Sequence, residues 1–430
     1  MNRTLNKIKH KDYGAKTLVA VCAVITVLLV LSLFFKQILL LCFLFLLIVL
    51  IWTSSGFSSA VIFYLLPLAI VLRYNPGTMS LFTPLCVAEA IIILVRRKRI
   101  DAVFFLLIYI LTGYVVLTCN GNYTDAMKLS TAILLFGLLD FECVEKNKQL
   151  NGISFSFGVL VSSFIALWQN RIPRLLAMYA EIDYVYLSSG RIRRFSGTFQ
   201  DPNYYAVAII MAIAFIECQK KSASRRSSRL MLIMQCVMLI FGGLTYSKSF
   251  FLMFIFLCIY LSLRYRSGKR IFVWLLLACT AVLVIVLNPF EIVSTVVERL
   301  LSEDLTTGRT KQWKLYCAAL SDNYISLFFG HGLKARLKNA AHNTWLQMLY
   351  QLGIVGSTIL LLAISRIIHI NKTVLKRNSA NYSGFLILIV MFSFLDGLTS
   401  YELPFYLSMA NTIYNTNLST EGISNETDVN

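Results

Sequence analysis

Apolar blocks long enough to cross a bilayer dominate the pattern of this chain. A hydrocarbon core of about 30 Å takes about 20 mostly apolar residues as a helix, and fewer where neighbouring helices shield the ends. Runs of this kind begin near residues 17, 37, 58, 79, 102, 124, 153, 203, 229, 249, 271, 343, 383 and 403. The pattern predicts an all-α fold, a polytopic transmembrane helical bundle of about 12–14 spans, with the runs at 58, 124, 383 and 403 the marginal ones. No Pro/Gly/Ser linker, low-complexity tract or internal repeat divides the chain, so residues 1–430 are expected to form a single integral membrane domain. The polar end, 417–430 ("NLSTEGISNETDVN"), reads as a disordered tail.

The polar stretches between the blocks carry an orientation signal. If the basic amino terminus is cytoplasmic, alternation places "RRKRID" (96–101), "EKNKQLN", "QKKSASRRSSR" (219–229), "RYRSGKR" (264–270) and "RIIHINKTVLKRN" (366–378) on the same side. That is the arrangement the positive-inside rule expects. Two longer loops, 169–202 and 289–342, then fall on the outer face, together with a short hinge, "LTYSKSF" (244–250). Within 289–342 apolar residues recur at helical spacing, so this outer loop is predicted to fold as amphipathic helices lying over the membrane domain. The first apolar run follows "MNRTLNKIKHKDYGAK" without a small-residue cleavage site and is expected to stay as the first helix.

Composition agrees with the pattern: 57% of residues are hydrophobic and only 14% charged, with a mean hydropathy of +0.70, against about half apolar and a quarter charged in soluble domains. The net charge of +19 would suggest nucleic acid in a soluble protein. Here most of it lies in loops, where it orients the chain and meets anionic lipid, so the bilayer and not nucleic acid is the expected partner. The ten cysteines are scattered singly, without a CxxC pair or Cys/His ligand spacing, and read as packing residues.

A basic outer face is not required by orientation, and it points to an anionic ligand. The first outer loop holds Arg171, Arg174, Arg191, Arg193 and Arg194 against Glu181, Asp183 and Asp201; the second adds Arg299, Arg309, Lys311, Lys314, Lys334, Arg336 and Lys338. Arginine suits a diphosphate because its planar fork donates paired hydrogen bonds and stays charged. Arg171 and Arg174 fit best as loop arginines paired locally. Asp201 can cap the helix that Pro202 opens, which brings a helix N-terminus beside Asn203 to the outer surface. Gly197 permits close backbone approach or an unusual turn. At "AHNTWLQMLYQLGIVG" His342 and Asn343 precede another apolar helix at the same face. A neutral imidazole there can accept a proton from a sugar hydroxyl. His331, between Gly330 and Gly332, reads as a turn residue, and Glu89, inside an apolar run, as a paired or protonated carboxyl of the bundle. Tyr184, Tyr186 and Trp313 fit interface anchors or sugar-stacking rings. No paired-carboxylate metal site is visible outside, so a metal-independent reaction without a cofactor is expected.

Four stretches, "RFSGTFQDPNYYA" (194–206), "LTYSKS" (244–249), "GRTKQWKLYCAAL" (308–320) followed by "FFGHGL", and "HNTWLQMLYQLGIVG" (342–356), resemble in order and spacing the O-antigen ligase and O-antigen (Wzy-type) polymerase superfamily of bacterial membrane glycosyltransferases. The resemblance covers about the second half of the chain. It implies a GT-C-like fold in the bacterial plasma membrane and glycan transfer from a polyprenyl-diphosphate carrier at the outer face, with flippase and chain-length regulator proteins as partners. It maps functional roles onto Arg194, Arg309 and His342. The family's Ser-Arg hinge is Ser247-Lys248 here, which keeps the charge and loses the fork. The mechanism expected is metal-independent and inverting. Arg194, Arg309 and Lys248, with Arg191, Arg193, Ser247, Gly197, Asn203 and Asn343 around them, hold the diphosphate, while His342 orients or deprotonates the acceptor hydroxyl. Polymerisation onto a second lipid-linked repeat unit is the favoured outcome. Ligation to lipid A core or protein is the nearest alternative, and a flippase or transporter of lipid-linked sugars, or a noncatalytic scaffold, stands in other classes.

Overall fold

The computed structural model of the protein describes residues 15–75, 78–96, 101–118, 123–142, 145–178, 184–187, 190–199, 201–220, 224–264, 309–333, 335, 337, 341–375, 383–395 and 402–416. Over these residues the chain is overwhelmingly helical, with one two-stranded antiparallel hairpin. The helices are α1 (Ala15–Phe34), α2 (Ile38–Trp52), α3 (Ser55–Leu65), α4 (Phe82–Arg96), α5 (Ala102–Thr118), α6 (Tyr123–Glu142), α7 (Glu145–Leu167) and α8 (Pro173–Met178). The hairpin follows, β1 (Tyr184–Leu187) against β2 (Gly190–Arg193). After it come α9 (Pro202–Gln219), α10 (Arg225–Gly243), α11 (Lys248–Arg264), α12 (Arg309–Ser321), α13 (Tyr324–Phe329), α14 (Thr344–Leu375), α15 (Ser383–Phe394) and α16 (Glu402–Thr416).

Four stretches, Lys16–Phe34, Leu150–Leu167, Pro202–Gln219 and Thr344–His369, are helices long and apolar enough to cross a membrane. Shorter apolar helices form over Ile38–Trp52, Ser55–Leu68, Ala102–Thr118, Lys248–Leu261 and Ser383–Ser393. The third of the apolar runs is shortened because Pro67 sits in a 3₁₀ turn, Leu66–Leu68, that closes α3; proline lacks the N–H that a continuing helix needs. "EKNKQLN", read from sequence as a loop, is instead the start of α7, and its Glu, Lys and Gln residues are good helix formers. The apolar run from 271 and the loop from 289 to 308 lie outside the described residues, as do Lys334, Arg336, Lys338 and the tail.

Two compact units form. The first comprises Met1–Lys98, Glu142–Ile182 and Ser196–Asp201. Its centre is α3, buried along its whole length from Gly56 to Leu65 and packed along α7; a helix apolar all round belongs in an interior. Glu89 of α4 is fully buried here and accepts hydrogen bonds from the hydroxyls of Ser58 (2.7 Å) and Ser59 (3.1 Å), consistent with the paired carboxyl read from sequence. Arg174 donates to the carbonyls of Ser32, Arg73 and Tyr74, and Arg171 lies 5.4 Å from the Trp168 ring centre, so both arginines fasten local structure.

The second unit comprises Arg99–Phe141, Asp183–Phe195 and Pro202–Asn430. Helix α9 is its core, buried at every residue from Tyr205 to Gln219. Helices α10, α11, α15 and α16 pack around it. On another side α5 lies along α14, fastened at one end by Arg366, which donates to both Asp101 carboxylate oxygens (3.3 and 3.0 Å).

Candidate functional site

The hairpin delivers the first group of candidate residues. Its register pairs Tyr184 with Arg193 and Tyr186 with Arg191, so a strand end feeds directly into Arg194. Sequence reasoning took this stretch as loop, since four-residue strands among polar turns give little periodic signal. The next residue anchors the chain: the Phe195 N–H donates to the Leu244 carbonyl (3.0 Å), and its ring stacks on Phe241 (5.3 Å between centres) and meets Tyr205 edge-on (5.7 Å). The "RFSG" strand exit is thereby locked to the α10–α11 hinge.

That lock places Arg194. The guanidinium is buried, 7% exposed, and donates from Nε to the Thr245 carbonyl (2.9 Å) and from Nη2 to Asn203 Oδ1 (3.0 Å). Asn203 Oδ1 also accepts from the Ser247 hydroxyl (2.7 Å), which in turn meets the Ser249 hydroxyl at 2.6 Å. Three sequence-distant pieces, the strand exit, the first turn of α9 and the hinge, therefore converge on one amide oxygen. Thr245 and Ser249 belong to the group although sequence reasoning did not single them out; their position beside Ser247 in "LTYSKS" was the available signal. The hinge bends at Tyr246, buried with φ +49°, and burial pushes its phenol above the ordinary range. Lys248 opens α11 one residue after Ser247. The oxygens of Thr245 and Asn203 that receive Arg194 are neutral, and between them they orient the guanidinium.

Gly197 has the unusual turn expected, φ +57°, but it is counted with the first unit. There the following Thr198 N–H reaches the Ser162 hydroxyl (3.1 Å) and the Thr198 hydroxyl reaches the Pro67 carbonyl. Arg191 and Arg193 lie on β2.

A second group forms around His342. Asn343 Oδ1 accepts from the Leu346 N–H (3.1 Å), the bond of an N-cap to the third helical residue, and so starts α14. The residue before that cap, His342, is exposed and held at φ +48°. The residue before it is held through both backbone groups: the Ala341 N–H reaches Gln347 Oε1 (3.4 Å), and the Ala341 carbonyl accepts the Trp313 indole N–H (2.8 Å). Trp313 stands one helical turn after Arg309, the first residue of α12. The indole thus brings the Arg309 end of α12 to the His342 turn, a structural use of Trp313 beyond the anchoring or stacking roles expected. Tyr316, Leu320, Ala341 and Tyr350 form the small core beneath. The Thr344 hydroxyl donates to the Leu395 carbonyl at the end of α15 (2.5 Å), and α15 also packs on α9 and α11, so both groups sit on adjoining helices of one unit.

His331 takes the turn role read from sequence, with Gly330 and Gly332 at φ +77° and +91° on either side. Its ring stacks on Tyr350 at 4.3 Å, and its backbone N–H donates to the Tyr350 carbonyl (2.9 Å).

No protein-family model matches the chain, and no curated protein matches its sequence.

Proposed function

We propose that this chain is a membrane glycosyltransferase that polymerises a surface polysaccharide. The setting is a multi-pass, GT-C-like bundle of the bacterial plasma membrane with a cytoplasmic amino terminus, and the reaction runs at the outer face. The observation that carries the reading is the convergence of Arg194 and Asn203 from one motif and Ser247 from another on one hydrogen-bonded group with a buried, oriented guanidinium. A fixed cation stabilises charge that develops on a leaving diphosphate without reorganising during the reaction.

In this mechanism the oxygen of an acceptor sugar hydroxyl attacks the anomeric carbon of a polyprenyl-diphosphate-linked glycan. The bond from that carbon to the phosphate oxygen breaks, and the anomeric centre inverts. Arg194, Arg309 and Lys248 take up the charge of the departing polyprenyl diphosphate. His342 orients the acceptor hydroxyl or receives its proton. The neighbouring bonds of Asn343, Gln347 and Trp313 hold the backbone around His342 in place for either role.

The test is a reaction of purified protein with a polyprenyl-diphosphate-linked repeat unit as sole substrate. Wild type is expected to give a ladder of longer lipid-linked glycans. Arg194→Ala, Arg309→Ala and His342→Ala are each expected to lose roughly two to three decades of rate, as removal of an oriented charge-stabilising donor does. Wild-type rates in all three variants would sink the mechanism. A verified native substrate that yields product only after lipid A core or a protein is added would replace polymerase by ligase or oligosaccharyltransferase.

A further inference from the structure

We propose that α13 and the glycine turn after it form a re-entrant segment that dips into the bilayer, with Tyr324, Ile325, Phe328 and Phe329 facing lipid acyl chains. The proposal requires that α14 crosses the membrane; it does not depend on the transferase reading.

The first observation is a break in α14. Gly353 lies inside that helix with φ 64°, ψ −173°, a conformation open essentially to glycine alone. Such a break strands backbone carbonyls, and lipid offers nothing to satisfy them. Here the turn after α13 satisfies them. The His331 N–H donates to the Tyr350 carbonyl (2.9 Å) and the Gly332 N–H to the Gln351 carbonyl (3.0 Å). From the other side the Tyr114 hydroxyl of α5 stands 2.7 Å from both the Leu352 and Phe329 carbonyls, and it donates its single proton to one of them at a time. Three elements are thus stitched at one level through backbone atoms.

The second observation fixes that level. At 1.5 Å per residue, Gln351 to Gly353 lie about 10–13 Å along α14 from Thr344. The apolar stretch Thr344–His369 would measure about 39 Å as a straight helix, about 9 Å more than a hydrocarbon core needs. Even if all that excess projected on the Thr344 side, the turn would still reach the hydrocarbon. On α5, Tyr114 stands about 6 Å before the last residue, Thr118, and helical side chains lean back toward the N-terminus, which sets its hydroxyl deeper still.

The third observation says what covers the exposed face. Tyr324, Ile325, Phe328 and Phe329 are 48–77% exposed on a helix that packs on α14 and is bonded to α5 through Tyr114, and the exposed apolar residues of those two helices include Ile354, Leu361 and Leu362 and Tyr109, Val116 and Leu117. A helix with exposed apolar residues that is fastened to two apolar helices with exposed apolar residues of their own shares their solvent. Helix α12 carries exposed Lys311 and Lys314 just before it, cations suited to anionic headgroups.

The experiment places tryptophan at Ile325→Trp, Phe328→Trp and, as reference, Lys314→Trp in the full chain. Each is reconstituted in phosphatidylcholine–phosphatidylglycerol vesicles, with or without bromine at mid-acyl positions, and wild-type emission is subtracted. The emission added at 325 and 328 is expected to be blue-shifted and quenched by the brominated lipid at least two-fold more strongly than that added at 314. Red-shifted, unquenched emission at 325 and 328 would overturn the proposal, and is the result expected if a protein partner normally covers this face. Equal quenching at all three positions overturns it as well, because the loop would then lie flat on the surface. Phe328→Trp exchanges one aromatic ring for another, so a folding defect in Ile325→Trp does not decide the outcome.

Discussion

Replacing Gly353 by alanine tests the packing that the second unit rests on. A Cβ at this position would stand 2.4 Å from both the Gly330 nitrogen and the Phe328 carbonyl oxygen, and both are backbone atoms that cannot rotate away. The conformation itself costs a residue with a side chain about 1–3 kcal/mol. Relief of the clash would separate the turn from α14 and forfeit the bonds from the His331 and Gly332 amides, about 0.5–1.5 kcal/mol each. The loss is therefore expected to be about 2–6 kcal/mol, a fall in melting temperature of roughly 2–7 °C for a chain of this length. Thermal melts of detergent-purified protein measure it. Gly113→Ala is the control, because a Cβ there meets nothing within 4 Å. Gly330 has φ 77°, ψ 175°, and its added Cβ would meet the Gln351 carbonyl oxygen at 2.3 Å, so Gly330→Ala strikes the same contact from the other side. The double variant should lose clearly less than the sum of the two, since the contact can break only once. A Gly353→Ala protein that melts with Gly113→Ala, or full additivity in the double variant, refutes this account.

Tyr114→Phe deletes one oxygen and leaves a broken-helix carbonyl without its hydroxyl donor, so a destabilisation of about 1–3 kcal/mol is expected in the same melts; an unchanged melting temperature would show that the hydroxyl does not close the break. At Asp101, burial pushes the carboxyl pKa up, but the Arg366 hydrogen bond, the Phe104 amide and the Arg366 charge outweigh it and hold the pKa below the usual range. The sign follows from a depressed folded-state pKa: the stabilisation is present above the unfolded value near 4 and is lost as pH falls through the folded one. Both side chains are partly exposed, so solvent screening keeps the contribution of the pair small. Asp101→Asn should lower stability at neutral pH and flatten its decline below about pH 4; parallel melting curves from pH 7 to pH 3 would remove the pair from the account.

Much of the helical architecture was legible because its cause is local. Apolar blocks, a proline at the first position of α9, a basic end at α4 and a glycine-flanked turn at His331 all act over a few residues, and the described helices begin near the expected runs. The same locality explains the misreadings. "EKNKQLN" is polar enough for a loop yet helical by propensity, and the hairpin before Arg194 has strands too short to show a period. Neither is distinguished by composition.

From the sequence alone came the apolar runs of membrane-spanning length, the gathering of arginines in two loops, and the placement of His342 and Asn343 just before an apolar helix. Only the tertiary structure decided that Asn203 and Ser247 meet at Arg194, with Thr245 as the second acceptor. It also decided that Trp313 ties α12 to the His342 turn, and that α14 breaks at Gly353 against a turn more than twenty residues earlier. The division has one physical origin. Burial and helix formation depend on neighbours within a turn or two, whereas a shared amide oxygen or a backbone-to-backbone contact exists only when segments far apart in the chain pack at one distance and orientation.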